Sequence, residues 1–203
     1  ETISTEVNVL GDFSPKIPES WRSPNVLFCA NTHPASQILV LDQCPSSEIT
    51  AIDTFMLWIE TEFESLSTAL RKADLAILNE EEVCAISGED FFMKAIGPIL
   101  SGECLHGGKS AGSGPSGLII KRGSAGVFAH LPCGMISLPS FPISEVVDPT
   151  GCGDSFAGAL LANMSRRKGV LNDIESMRDA MVHATVTSSF TIQGLGTNKL
   201  QGL

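Results

Sequence analysis

Residues 146–159 read Val-Val-Asp-Pro-Thr-Gly-Cys-Gly-Asp-Ser-Phe-Ala-Gly-Ala. The two β-branched residues predict a strand that leads into a glycine-containing turn, and the small residues after the turn predict a closely packed helix. The first turn of such a helix presents free backbone N–H groups and the positive end of the helix dipole. Because glycine lets the backbone approach a ligand closely, this segment predicts a binding site for phosphate or another anion.

Asp154 lies just inside this turn and needs a separate explanation, because its negative charge does not help to hold a phosphate. One interpretation is a general base that accepts the proton of a substrate hydroxyl while the oxygen attacks a phosphorus atom. The other is a structural helix cap, since aspartate is favoured at helix starts. The residues alone leave both interpretations open.

Apolar runs alternate with helical stretches along the rest of the chain, which is typical of βαβ units and a largely parallel sheet. The predicted strands are residues 2–10, 25–31, 49–53, 74–78, 118–121, 126–130 and 135–138. The predicted helices begin at Pro34, Glu80 and Cys152 or cover residues 60–72, 90–100 and 173–190. Residues 101–117 are rich in Gly and Ser and predict a flexible loop. We therefore expect one α/β domain over residues 1–203.

The composition excludes several classes of partner. The 203 residues are 43% hydrophobic, and 23 Asp and Glu against 13 Lys and Arg give a net charge of -10. This charge opposes binding to nucleic acid or to an anionic membrane, so we expect neither as a partner. The six cysteines form no C-x-x-C pair and no secretory signal precedes them, which predicts reduced thiols in a cytoplasmic protein.

Two other nucleotide-binding patterns are disfavoured. Residues 107–110 read Gly-Gly-Lys-Ser and resemble the end of a phosphate-binding loop, but the first glycine of that motif would fall on Glu103. The residues after Ser110 also cannot form the helix that the motif requires. No G-x-G-x-x-G pattern follows the first strand, which disfavours a dinucleotide-binding oxidoreductase.

The Asp-x-Thr-Gly-x-Gly-Asp pattern of residues 148–154 resembles the C-terminal signature of the ribokinase (PfkB) family of carbohydrate and nucleoside kinases. Residues 79–82 resemble the family's Asn-x-x-Glu motif, and residues 121–126 resemble its strand and turn beside the nucleotide. The resemblance covers nearly the whole chain. It implies a ribokinase-like α/β fold with a mostly parallel sheet and helices on both faces. The chain would be the C-terminal two-thirds of a family member, without the N-terminal substrate-binding part and lid.

The resemblance also implies roles for single residues. Asp154 would be the catalytic base, and the backbone amides of Gly151, Cys152 and Gly153 would hold the transferring phosphoryl group. The residues implied in ATP binding are Thr150, Gly123, Gly126 and Lys121. Those implied in metal binding are Asn79 and Glu82 for Mg²⁺, and Asp148 for a monovalent cation in members that use one. For Glu82, a solvated carboxylate in a first helical turn is the alternative.

The implied activity is transfer of the γ-phosphoryl group of ATP to a hydroxyl of a sugar or a related small molecule, such as a nucleoside. A homodimer is left open as the assembly. The alternative is a catalytically incompetent nucleotide-binding fragment of such a kinase.

Overall fold

The computed structural model describes residues 13–201, so the predicted strand over residues 2–10 lies outside the described residues. The strands are β1 (Val26–Cys29), β2 (Ile49–Ile52), β3 (Leu75–Asn79), β4 (Gly117–Lys121), β5 (Val127–Leu131) and β6 (Gly134–Leu138). The helices are α1 (Pro34–Gln43), α2 (Met56–Thr61), α3 (Phe63–Lys72), α4 (Glu80–Ser87), α5 (Phe92–Leu100), α6 (Cys152–Met164) and α7 (Ile174–Thr191). Over residues 13–201, no helix combines the length and apolar character that a membrane crossing needs.

The strands form one sheet in the order β1-β2-β3-β4-β5-β6. Neighbouring strands from β1 to β4 are parallel, whereas β5 and β6 continue the sheet as antiparallel strands. A short 3-10 helix, Gly123–Ala125, joins β4 to β5, and such a tight connection permits only antiparallel pairing. The expected mostly parallel sheet is therefore confirmed, and the carboxyl ends of β1 to β4 meet at one edge.

The helices cover both faces of the sheet, as expected. Side chains of a strand point alternately to the two faces, so Leu75 and Ile77 of β3 pack in the core with α6 and α7. Ala76 and Leu78 of the same strand pack in the opposite core, which contains buried residues of α1 to α5. Because β3 is buried on both faces, its sequence is continuously apolar rather than alternating.

The local sequence predicts where a helix begins better than it predicts whether a helix continues without a break. Pro34 opens α1 as predicted, and His33 Nδ1 accepts a hydrogen bond from the Ala35 N–H at 3.2 Å. The prediction of one helix over residues 60–72 is wrong. Glu62 has φ -131° and ψ 34°, which is not helical, so it ends α2 and begins α3.

The prediction that Val146 and Val147 form a strand is also wrong, because neither residue pairs with a strand of the sheet. Instead, the N–H groups of Val147 and Asp148 both donate to the carbonyl of Ile192, at 2.9 and 3.2 Å. This bond joins the segment before α6 to the residue that follows α7. Both valines are exposed.

Residues 101–116 form turns and irregular backbone around a short 3-10 helix, Gly108–Ala111, whereas Gly117, the last residue of the predicted loop, begins β4. This single turn is no substitute for the α-helix that a phosphate-binding loop requires. The guanidinium of Arg71, at the end of α3, donates hydrogen bonds to backbone carbonyls of this segment. These carbonyls belong to Gly102, His106, Gly108 and Gly112. The flexibility of the segment stays a prediction.

Candidate active site

The amino end of α6 has the geometry predicted for an anion-binding turn. Gly151 precedes the helix with φ +81°, in the left-handed region that favours glycine. The Cys152 N–H donates to the Pro149 carbonyl at 3.2 Å and closes the turn. Since a helix does not use the N–H groups of its first turn, the Gly153 amide is directed to the space beyond this end.

Asp154 does not cap the helix. No side chain caps α6, and Asp154 is the third helical residue, where it is exposed. Ser155 is not a cap either, because its hydroxyl donates back to the carbonyls of Gly151 and Cys152, at 2.9 and 3.1 Å, and accepts no bond from a first-turn N–H. The helix-cap interpretation of Asp154 is therefore not supported, and its carboxylate is available to a ligand.

A cavity of about 500 Å³ opens beside this end of α6. Its lining includes five residues predicted for the site or its surroundings, namely Lys121, Gly123, Gly126, Cys152 and Gly153. It also includes Ser124, Ser140, Phe141, Ile143, Val146, Thr185, Ser188 and Ile192. Apolar walls with hydroxyl groups at intervals are typical of small-molecule sites. Most of this second group could not be predicted from the sequence, because these residues lie in irregular segments or face the cavity only in the folded chain.

Gly126 has a steric role in this cavity. Its φ is +91°, and a Cβ at this position would lie 2.7 Å from the Pro139 carbonyl carbon. A side chain cannot be accommodated there unless the backbone moves. Gly123, at the other end of the same turn, also has a positive φ but has open space where its Cβ would be.

Asn79 and Glu82 form a reciprocal capping box at the start of α4. The Glu82 N–H donates to Asn79 Oδ1 at 2.7 Å, and the Asn79 N–H donates to Glu82 Oε2 at 2.8 Å. Glu82 is only 4% exposed, and burial raises the pKa of its carboxyl to about 7. The solvated-carboxylate alternative for Glu82 is therefore wrong, because its side chain is buried and paired with the backbone.

The residues predicted for metal binding supply few ligand atoms, so they fit only an ion that keeps most of its bound waters. Over residues 13–201, no three His, Cys, Asp or Glu side chains converge in a way that could hold a metal. The capping box leaves one carboxylate oxygen of Glu82 and one lone pair of Asn79. Mg²⁺ often binds to one or two such oxygens while it retains waters and contacts phosphates, so this donor set fits a hydrated Mg²⁺.

Asp148 and Thr150 lie in the turn before α6, beside the end of α7. The Thr150 N–H donates to Asp148 Oδ1 at 2.9 Å, and this bond lowers the pKa of the Asp148 carboxyl. The neighbouring Cys152 is partly buried, which raises the pKa of its thiol. Cys152 is therefore neutral at pH 7 and adds no negative charge to the anion-binding turn.

Lys121 and Asp53 form an ion pair at the carboxyl edge of the sheet, with Nζ 3.4 Å from Oδ2. Their side chains are 20% and 7% exposed. Lys121 also reaches α6, because a Cβ on Gly153 would lie 3.2 Å from its Nζ. Asp53 was not among the predicted site residues. Its position directly after buried strand β2 was a usable signal, because carboxyl ends of parallel strands meet at one edge.

Comparison with known families gives a match that covers most of the chain. The model of the pfkB family carbohydrate kinases matches residues 39–201. The chain belongs to the pfkB family. The predicted family is thereby confirmed.

Two curated pfkB relatives show how much of a family member this chain covers. The cytidine kinase of Thermococcus kodakarensis is 29% identical over 156 residues, which are 74% of this chain and 51% of that enzyme. The bifunctional ribokinase/ribose-5-phosphate isomerase A of Fructilactobacillus sanfranciscensis is 37% identical over 79 residues, which are 39% of this chain and 13% of that protein. The chain thus spans about half the length of the cytidine kinase.

Two solved structures share the fold. A Vibrio cholerae fructokinase with bound fructose, ADP and calcium has a TM-score of 0.70 at 18% identity, over 92% of this chain and 59% of that one. The aminoimidazole riboside kinase of Salmonella enterica, in complex with aminoimidazole riboside and an ATP analog, has a TM-score of 0.65 at 19% identity. This second match covers 86% of this chain and 58% of that one.

Proposed function

We propose that this chain carries the ATP-binding and phosphoryl-transfer half of a pfkB-family kinase that acts on a hydroxyl of a sugar or nucleoside. The observation that carries the proposal is the cavity of about 500 Å³ that opens at the amino end of α6, with the free carboxylate of Asp154 in the same turn. Relatives with sugar or nucleoside kinase names support the class of acceptor.

The cavity would hold the nucleotide between the β4–β5 turn and the two last helices. Its apolar walls, which include Phe141 and Ile143, suit a nucleobase, and its serine and threonine hydroxyls suit the base edge and ribose. Gly123 and Gly126 would border the ribose. Lys121 and Thr150 would then lie toward the phosphates, because Lys121 contacts the first turn of α6.

Phosphoryl transfer would use the helix end and Asp154 together. The Gly153 amide and the positive end of the α6 dipole would hold the negative charge of the transferring group, whereas the Cys152 N–H, predicted for the same role, already donates to the Pro149 carbonyl. The Asp154 carboxylate would accept the proton of the attacking hydroxyl. Since this chemistry depends mainly on positioning and charge neutralisation, the rigid turn between Gly151 and Gly153 is its main structural requirement.

Cations would complete the site. Asn79 and Glu82 would orient waters of a Mg²⁺ ion, which when bound to the ATP phosphates neutralises part of their charge. Asp148 would help to hold a monovalent cation together with carbonyls of residues 194–197. This second site is supported by the Asp148 N–H bond to the Ile192 carbonyl, which joins the two segments.

The substitution Asp154→Asn in the 203-residue chain tests the proposal. We expect ATP affinity to stay within about threefold, because Asp154 is exposed and makes no cap contact. We expect the rate of phosphoryl transfer to sugars and nucleosides to fall about 10²- to 10⁴-fold, the usual contribution of a general base. Isothermal titration and a coupled ADP assay measure the two quantities.

Asp179→Asn is the matched control, because Asp179 is also an exposed helical aspartate but lies on α7, where it pairs with Arg167. Both quantities should be unchanged in this variant. Normal turnover by Asp154→Asn would contradict the assignment of the base.

A second candidate is a chain that binds nucleotide without transferring its phosphate. The match with the cytidine kinase covers 51% of that enzyme, which is the observation behind this alternative. ATP binding by the wild-type chain, with no turnover of any acceptor in the same assay, would support it.

A further inference from the structure

Asp53 is held rigidly at the end of β2. Its N–H donates to the Cys29 carbonyl at 3.2 Å. Its carbonyl accepts a bond from Nε2 of Gln37 at 2.9 Å. Gln37 is 1% exposed and also donates to the carbonyls of Cys29 and Ala30, so it joins the ends of β1 and β2. Because its backbone is fixed by these hydrogen bonds, the Asp53 side chain is well suited to orient a neighbouring side chain.

Stability alone does not explain the Asp53–Lys121 pair. Burial of two charges costs desolvation energy that their attraction often fails to recover, and well-packed apolar residues serve stability equally well. Both residues lie at the carboxyl ends of strands, and Lys121 lines the cavity and lies beside the first turn of α6. A buried pair at such an edge points to a ligand rather than to a structural device.

The position of the Lys121 ammonium is unfavourable without a carboxylate partner. It lies beside the first turn of α6, where the helix dipole repels a cation. Glu82 also attracts Lys121, but Oε2 of Glu82 accepts the Asn79 N–H. Among residues 13–201, Asp53 is the carboxylate that lies within ion-pair distance of Lys121, so it is the group that offsets the repulsion.

We propose that Asp53 is a positioning residue that holds the Lys121 ammonium beside Gly153, so that the ammonium and the α6 amides form one binding site for the phosphates of the nucleotide. This inference rests on the proposed function for the identity of the ligand. Asp53 itself does not contact the phosphates, since two negative groups would repel each other. Its effect on phosphate binding therefore depends on the presence of Lys121.

A double-mutant cycle on the 203-residue chain tests the inference, with variants Asp53→Asn, Lys121→Met and the combination of the two. The probes are ATP, adenosine and inorganic tripolyphosphate at a fixed Mg²⁺ concentration, and dissociation constants come from isothermal titration. We expect Lys121→Met to weaken ATP and tripolyphosphate at least about tenfold, the effect of one charge-assisted hydrogen bond. Adenosine should change less than about twofold, because it lacks phosphates.

Asp53→Asn should weaken ATP and tripolyphosphate about three- to tenfold when Lys121 is present. It should cause no further loss in the Lys121→Met background. A merely structural role would also weaken adenosine, so the comparison of probes separates the two roles. Lys72→Met and Asp42→Asn are matched controls, because they break an exposed Lys–Asp pair, 2.6 Å apart, that joins α3 to α1.

Two results would overturn the inference while the proposed function stands. The first is tighter ATP binding by Asp53→Asn, which would mean that Asp53 competes with phosphate for Lys121. The second is an equal loss from Asp53→Asn in both backgrounds. A wild-type chain that binds tripolyphosphate but not ATP would overturn the proposed function, and the tripolyphosphate cycle would still decide the inference. A wild-type chain that binds neither probe would overturn both.

Discussion

Glu82 is a single buried carboxylate that connects the start of α4 with the charges of the candidate site. Its neighbours act in opposite directions, because the Asn79 N–H and Lys121 lower its pKa whereas Asp53 and Glu81 raise it. Burial outweighs these effects and raises the pKa to about 7, from a usual value of 4.5. Between these two pH values, the folded state therefore binds a proton at Glu82 more strongly than the unfolded chain does.

The sign of this difference gives a pH prediction. Because the folded state holds the extra proton, the free energy of unfolding should fall as the pH rises from about 4.5 to about 7. The contribution of Glu82 to this fall is at most about 3 kcal/mol. Glu82→Gln should make the dependence shallower, since glutamine does not titrate. Urea unfolding at a series of pH values between 4.5 and 7 measures this difference.

Glu60→Gln is the control for this experiment, because Glu60 is exposed on α2 and is not among the charges that shift the pKa of Glu82. The free energy of unfolding of this control variant should change with pH as it does in the wild type. Burial also raises the pKa of the Asp53 carboxyl, so part of the dependence should persist in Glu82→Gln. An unchanged slope in Glu82→Gln would show that Glu82 is ionised throughout this range.

The two glycines of the β4–β5 turn allow a matched prediction at the same scale. Gly126→Ala should lower the free energy of unfolding by more than about 3 kcal/mol, because its Cβ would overlap the Pro139 backbone and its φ is positive. Gly123→Ala should cost only about 1 kcal/mol, for the positive φ alone. Chemical denaturation of both variants measures the difference, and equal losses would mean that the turn adapts freely.

Two side chains of α3, Arg71 and Ser67, join this helix to the segment of residues 101–116. The Arg71 guanidinium donates to four carbonyls, and two of these bonds, to His106 and Gly108, are 3.1 and 3.0 Å long. A further bond joins the His106 N–H to the hydroxyl of Ser67 on α3. The composition of this glycine-rich segment predicts flexibility, whereas these bonds would restrain it.

Arg71→Ala separates these two expectations. If the bonds restrain the segment, its amides should exchange with solvent at least about tenfold faster in the variant, and the free energy of unfolding should fall by about 1–3 kcal/mol. Hydrogen exchange followed by mass spectrometry measures the first quantity. Arg178→Ala is the control, because Arg178 makes an exposed pair with Glu175 on α7. Equal exchange in wild type and Arg71→Ala would leave the segment flexible in both.

The sequence predicts an element correctly where the signals for that element are local. The start of α1 was predictable because His33 and Pro34 act locally, through a cap and a fixed φ. The break between α2 and α3 was not, because the helical spacing continues through Glu62 and only its backbone angles interrupt the helix. Val146 and Val147 favour a strand by composition, but no strand partner lies beside them in the sheet. Pairing partners are a property of the whole fold.

Across the whole molecule, the general plan was more predictable than the contacts within the site. Alternating strands and helices indicated a parallel α/β sheet, and β3 and β4 are apolar because both faces are covered. The turn at Gly151 was visible because its residues are consecutive. The Asp53–Lys121 pair was not, because 68 positions separate the two residues and only the order of β2, β3 and β4 brings them together.

The bonds that join the segment before α6 to the Ile192 carbonyl run between main-chain atoms alone. These hydrogen bonds therefore do not depend on which side chains are present at the bonded positions. Positions 147 and 148 can change in size or charge over evolutionary time without loss of these bonds, and proline is the exception because it has no N–H to donate. One of the links that hold the chain at the entry to the candidate site is thus protected from most sequence drift, whereas the bond from the Thr150 N–H to Asp148 Oδ1 is not.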